Sequence, residues 1–212
     1  YPKGTISALV ELTYRFGFYA IANTDGLLNL YKKSYGGEGT VLQSKVDLTD
    51  YYPKKEILEM PRAPYKVFFY ARPNMPRNAF ELGVAGLKKL KAKMGDEVEI
   101  ITAGAEWNPL DYGVAGMFTN LGKISYDAVP VLYRSVDVGL MFMFSGHPGV
   151  TASELMASGC PVVVNEYDDT TWNDLYQHEK TCLITKATAS EVARNLERCL
   201  TDETLRNKLI QQ

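Results

Sequence analysis

The spacing of hydrophobic and polar positions changes several times along this chain, and each change marks an element. FYAIAN (Phe18–Asn23) alternates as a strand does, and Thr24 then stands where a helix N-cap belongs. The helix it opens runs to about Tyr35, with Leu27, Leu28, Leu30 and Tyr31 on its inner side, and YGGEG stops it. TVLQSKVD resumes as strand and turn, which completes a βαβ-like unit. Between residues 49 and 64 the period disappears among three prolines and mixed charge, a composition that reads as a linker.

After the linker, strands and helices alternate. YKVFFYA reads as an apolar strand ending at Arg72. PRNAFELGVAGLKKLKAKMG predicts a helix with Phe80, Val84, Leu87 and Met94 on one stripe and Lys88, Lys89, Lys91 and Lys93 on a solvated face. DEVEIITAGA, FTNLGKIS, DVGLMFMF, CPVVV and TCLIT read as further strands. YDAVPVLYRSV and Val150–Ser158 read as helices, and the C-terminal stretch from ATASEV onward as two more. The fold class is therefore α/β: a Rossmann-like parallel sheet with helices on both faces. Such sheets bind ligands beyond the C-terminal ends of their strands.

Composition narrows the function classes. At 212 residues and 46% apolar content the chain can bury a substantial core, and a net charge of −2 argues against binding nucleic acid through a basic face. Three cysteines, Cys160, Cys182 and Cys199, are an odd number without metal-ligand spacing and read as buried thiols of a reducing compartment. No apolar run approaches the roughly 18 residues of a membrane span, and no signal peptide is visible. A cytoplasmic location, peripheral to the inner membrane face, is the expectation. The chain opens at Tyr1 in mid-pattern, as a piece of a longer protein would.

Three loops at strand ends carry candidate chemistry. In ARPNMPRNAF, Arg72 and Arg77 flank a two-proline turn and offer planar donors to phosphate oxygens. In TAGAEW, Gly104 permits close backbone approach and Glu106 is the nearby polar group. In SGHPGVTASE, the residues Ser145, Gly146, His147, Pro148, Gly149 and Val150 form a turn at a helix N-terminus, a favourable place for an anion. Glu154 follows one turn into that helix, and a carboxylate there can accept two hydrogen bonds from a vicinal diol such as ribose. Together these point to a nucleoside diphosphate. Plainer readings have Arg77 as a surface charge, Glu154 paired on the helix surface and His147 merely fixing the turn. No GxGxxG follows a strand, no GxxxxGK[ST] occurs, and no DxD stands at a strand end; Asp168 and Asp169 read as a solvated loop.

The order strand–AR…PR–helix, then EIITAGAE, then LYRSVDVGLMFMFSGHPGVTASELMASGCPVVVNE resembles the C-terminal, donor-binding half of GT-B glycosyltransferases of the group 1 type. It covers roughly Lys66 to Gln212, while the βαβ unit and VDLTDYYP resemble the end of that family's N-terminal domain and its exit into the linker. The resemblance implies three parts: 1–48 as a remnant of the acceptor domain, 49–64 as linker and 65–212 as the nucleotide-sugar-binding domain. It also makes Arg72 the diphosphate arginine. Asn78 falls where the family has lysine, so Arg77 is the expected substitute. Glu154 matches the second glutamate of the E-x7-E motif, which contacts ribose, whereas Gly146 occupies the first position.

That departure is closer to bacterial enzymes resembling dTDP-rhamnose transferases and leaves His147 as the candidate for sugar recognition or catalysis. The family's nucleobase frame falls on Gly122, Lys123 and Ile124. The implied activity is transfer of a glycosyl group, rhamnose among the candidates, from a dTDP- or UDP-sugar to an acceptor glycan or lipid-linked glycan. It needs no metal or cofactor, and the acceptor is reached through the missing N-terminal domain, so this chain alone binds nucleotide without transferring sugar. An inactive GT-B relative, an NAD-type Rossmann module (disfavoured by the missing glycine fingerprint) and a protein-interaction scaffold stay open as alternatives.

Overall fold

The computed structural model describes residues 4–42, 45–53, 62–147, 149–166 and 176–211. The N-terminal unit contains α1 (Thr5–Thr13), β1 (Ala20–Ala22), α2 (Asp25–Tyr35) and β2 (Gly39–Val41). The two short strands pair in parallel, with Ala20 opposite Gly39 and Ala22 opposite Val41. Thr24 caps α2 as its position predicts, its hydroxyl accepting the Leu27 N–H at 3.2 Å. Leu28 is the buried residue of α2; Leu30, expected on the inner face, is 59% exposed, because only one narrow stripe of this helix meets β1 and β2. Helix α1 lies outside the elements the pattern predicts, and it buries none of its residues: Ile6, Leu9 and Leu12 all face outward.

The larger sheet comprises β3 (Tyr65–Ala71), β4 (Val98–Gly104), β5 (Phe118–Asn120), β6 (Val138–Met141), β7 (Val162–Asn165) and β8 (Leu183–Thr185). Its helices are α3 (Phe80–Met94), α4 (Ala128–Ser135), α5 (Thr151–Ala157), α6 (Ala189–Thr201) and α7 (Glu203–Ile210). All strand pairs are parallel, in the order β5-β4-β3-β6-β7-β8. The chain starts in the middle, winds to one edge, returns and winds to the other. The strand order therefore reverses between β3 and β6, and the crevice above that junction is where such sheets bind ligands.

Alternation along the strands supplies two cores. Val67, Phe69, Val98, Ile100, Val138, Leu140 and Val163 face α3, α6 and α7 with Leu87, Leu90, Val192, Leu196 and Leu205. Phe68, Ala103, Met141, Val162 and Val164 face α4 and α5 with Tyr133, Ala152 and Leu155. Burial on both faces explains why these strands read as continuous apolar runs. Two expectations need correction. Lys91 does not stand in the solvated lysine row: its ammonium donates to the Val98 carbonyl at 2.7 Å, closing the turn between α3 and β4. Strand β6 ends at Met141, short of the expected Phe144, because side chains rather than a neighbouring strand take the main-chain groups of the next residues.

Candidate functional site

The site begins at the C-terminal end of β3. Arg72 comes one residue after the strand, half-buried, with Nη1 donating to the Tyr70 hydroxyl at 3.3 Å and its guanidinium 5.9 Å from that ring's centre. Among the described residues no carboxylate forms an ion pair with Arg72 or Arg77. Arg77 is exposed, within a tight turn at Pro76–Asn78. Asn78, at the position expected to be lysine, is only 1% exposed, and Nδ2 donates to the Phe142 carbonyl at 2.9 Å. The Arg77 carbonyl accepts the Phe144 N–H at 2.7 Å. This turn is thus stitched to the segment after β6 by a buried amide, a role a lysine could not fill without burying its charge. Ala79 then enters α3 at φ 41°, a left-handed conformation that non-glycine residues reach only when their surroundings impose it.

The segment after β6 folds on itself. Ser145 Oγ donates to the His147 carbonyl at 2.9 Å, and the Gly149 N–H donates to His147 Nδ1 at 2.9 Å. With Nδ1 accepting, the neutral imidazole carries its proton on Nε2. His147 therefore fixes the turn, the plainer of its two readings, and the neutral ring keeps a donor at Nε2. Gly146 offers its carbonyl to the Thr24 hydroxyl at 3.5 Å, a contact between the N-terminal unit and this loop. Pro148 lies outside the described residues. Val150 precedes α5 without a side-chain cap, and α5 is only 7 residues long, so the helix end contributes less field than a long helix would.

Glu154 projects from α5 and is half-buried. Its carboxyl is pushed above the usual range by burial, an effect opposed by a hydrogen bond from the Tyr51 hydroxyl. Tyr51 in turn is pushed up to about 12, first by its own burial and then by the Glu154 charge. Tyr133 of α4 stands beside them with its hydroxyl bonded to Thr151 and is pushed up for the same reasons, burial first.

Glycine and asparagine shape the loops over β4 and β5. The Gly104 N–H donates to the Gly122 carbonyl at 2.9 Å, and the Gly122 N–H to Asn120 Oδ1 at 3.0 Å. Gly122 has φ 61°, the left-handed conformation that favours glycine, and Glu106 Oε1 packs over it, 1.8 Å from where a Cβ would lie. Asn120 Nδ2 also donates to the Trp107 carbonyl at 3.0 Å, fixing the β4 loop to the β5 loop. Lys123 is exposed, and Ile124 packs half-buried on the α4 side of the core.

The structure thus places Arg72, Arg77, Ser145, Gly146, His147, Gly149, Val150 and Glu154 around the junction of β3 and β6. It sets Gly104, Lys123 and Ile124 over β4 and β5, at the side. Sequence reasoning missed Tyr51, Asn120 and Asn165. An asparagine closing an all-apolar strand, as in VVVN, was a readable signal for Asn165; nothing in DYYP announced that Tyr51 would reach Glu154.

Residues 65–197, which carry all of this geometry except Thr24 and Tyr51, match the family described as WsaF, C-terminal domain. The chain belongs to that family. WsaF C-terminal domains thus share with it the whole span from β3 into α6. The O-antigen biosynthesis protein RfbC of Myxococcus xanthus is 44% identical over 210 residues, 99% of this chain. The chain spans 16% of that relative's length. Among solved structures, sucrose-phosphate synthase from Thermosynechococcus elongatus superposes with a TM-score of 0.77 at 18% identity, over 99% of this chain and 56% of its own. Anabaena Alr3699/HepE, in complex with UDP and glucose, superposes at 0.75 and 19% identity, over 100% of this chain and 61% of its own. This WsaF C-terminal domain protein shares the fold of both structures, the GT-B architecture that its motifs implied.

Proposed function

We propose that this chain is the nucleotide-sugar half of a glycosyltransferase of glycan biosynthesis. The observation that carries this reading is the junction of β3 and β6. There an arginine with no acidic partner among the described residues follows one strand, and a desolvated carboxylate follows the other. Arg72 and Arg77 meet the charge of the diphosphate, and Glu154 accepts the ribose hydroxyls. Arginine donors aimed at the leaving diphosphate stabilise the charge that develops there as the glycosidic bond breaks. The UDP and glucose bound in the HepE structure, on the same fold, support a nucleotide-sugar donor, and RfbC's role in O-antigen biosynthesis supports a glycan acceptor. In this reading His147 Nε2–H is assigned to the sugar, and the backbone at Gly122, Lys123 and Ile124 to the base.

Glu154 also bears on the choice of donor. A carboxylate that accepts from both ribose hydroxyls loses one partner when the 2′-hydroxyl is absent, so UDP is the better ligand and dTDP the weaker one. Calorimetry with UDP and dTDP tests this, with Arg72→Ala and Glu154→Ala each expected to weaken binding at least tenfold. No heat from either nucleotide, with the fold intact, overturns the reading. The sugar is found by screening UDP- and dTDP-sugars, rhamnose donors included, against the full-length protein and a glycan acceptor.

A further inference from the structure

We propose that Tyr51 is a positioning residue that holds the Glu154 carboxylate in the orientation that receives the ribose diol. The inference rests on the nucleotide reading of Glu154 given above. Tyr51 belongs to the segment ahead of β3, not to the sheet and its helices, yet it is 8% exposed and packed into the α4–α5 core. Its ring lies 6.1 Å from that of Tyr133, which in turn lies 5.3 Å from Phe68 on β3. Its flanking residues are fastened to α4 by one arginine: Arg134 Nη1 donates to the Asp50 carbonyl at 2.7 Å, and its guanidinium sits 4.3 Å from the Tyr52 ring centre. The Tyr51 N–H donates to the Asp47 carbonyl at 3.0 Å, closing a turn. Backbone, ring and neighbours thus fix the phenol, and its one polar atom is spent on Glu154.

A half-buried carboxylate on a flexible side chain has several rotamers, and holding one of them in advance lowers the cost of binding. An ionised carboxylate has about four acceptor sites, so one bond from Tyr51 leaves room for two ribose hydroxyls. Among the described residues, the titratable groups facing this pair are Tyr133 of α4, Tyr70 of β3, Tyr126 ahead of α4 and Asp50. None of them is a cation, and Arg134 is turned to Tyr52. Among the described residues, Tyr51 is therefore the group that favours the ionised form of Glu154 against its burial.

The test is the ratio of UDP to 2′,3′-dideoxy-UDP affinity in the wild-type chain and in Tyr51→Phe, which keeps the ring and removes the hydroxyl. The wild type should prefer UDP, and Y51F should lose most of that preference, about tenfold, while binding the dideoxy compound as before. The acid limb of UDP binding should also move to higher pH in Y51F, since Glu154 then ionises less readily. An unchanged ratio and an unchanged acid limb in a folded Y51F overturn the proposal. A wild type that binds UDP and the dideoxy compound equally overturns the Glu154 reading itself, and this proposal with it. A second measurement needs no variant: with 13C-labelled tyrosine, the Tyr51 phenolic carbon of the wild type should shift on adding UDP and much less with the dideoxy compound. Equal shifts, or none, overturn the proposal.

Discussion

The side-chain amide of Asn165, at the end of β7, pairs with the main chain of Met143 in both directions. The Met143 N–H donates to Oδ1 at 2.7 Å, and Nδ2 donates to the Met143 carbonyl at 3.3 Å and to the Glu166 carbonyl at 3.1 Å. Asn165 is 1% exposed, so an unpaired Met143 N–H beneath it would have little access to water. Asn78 holds the adjacent Phe142 carbonyl from the other side. Two buried amides therefore do for Phe142 and Met143 what a strand ladder does elsewhere, and they set the path of the loop that carries Ser145 to Gly149.

Removing that clamp should affect fold and site together. Asn165→Ala is expected to cost about 1–3 kcal/mol in urea unfolding and to weaken UDP binding, because the β6 loop loses its fixed path. Asn165→Asp, which keeps the acceptor but buries a charge against the Met143 and Glu166 carbonyls, should be at least as destabilising as alanine near neutral pH. Equal stability of all three would show that the loop is held by other contacts.

Two glycines of α3 make a packing prediction of the opposite kind. A Cβ at Gly83 would sit 2.2 Å from Phe69 Cζ, and one at Gly86 2.4 Å from Val192 Cγ1. Alanine usually favours a helix over glycine by up to about 1 kcal/mol, but Phe69 and Val192 are fully buried and have no room to retreat. Overpacking should win, with Gly83→Ala and Gly86→Ala each destabilising by about 1–3 kcal/mol. A raised melting temperature in either variant would show that the helix yields more easily than this packing implies.

The large sheet was legible because its signal is local and repeated: apolar runs bounded by glycine, proline or a cap residue. Thr24, Gly36 and Gly159 each stop or start a helix where the pattern places them. Helix α1 was not legible, since it buries none of its residues and its period therefore marks no core among the described residues. The site divides similarly. Arg72 and Glu154 were readable as charges at strand and helix ends. The roles of Asn78, Asn165 and Tyr51 were not, because each depends on a contact between segments far apart in the chain: 64 residues for Asn78 and Phe142, 22 for Asn165 and Met143.

The cysteines read as inert thiols, and the structure gives the reason. Cys160, Cys182 and Cys199 are all buried and form no disulfide, and burial pushes the Cys182 and Cys199 thiols up to about 12. Since the thiolate is the reactive form, the native chain should react with Ellman's reagent at pH 8 far more slowly than a model thiol. All three should titrate at once in denaturant. Rapid reaction of Cys182 or Cys199 in the folded chain would mean that α6 and β8 open readily.

Glu154 should make stability fall as pH rises. Burial holds its carboxyl above the ordinary carboxylate range in the folded chain, while in the unfolded chain it titrates near ~4.3. The folded form therefore binds more protons than the unfolded form between these two values, and linkage makes unfolding easier with increasing pH across that window. The favourable contribution of the protonated group is complete below the unfolded value and lost as pH passes the folded one. Glu154→Gln removes this titration and keeps an acceptor for Tyr51. Near pH 7 the variant should be more stable than wild type in urea unfolding; near pH 4 the difference should shrink. It should also bind UDP more weakly at pH 7, because a neutral amide accepts the ribose hydroxyls less strongly than a carboxylate does. Stability gained where binding is lost is the expected mark of a charge kept for a ligand. A variant equal to or less stable than wild type at pH 7 would show that the Tyr51 bond outweighs the burial.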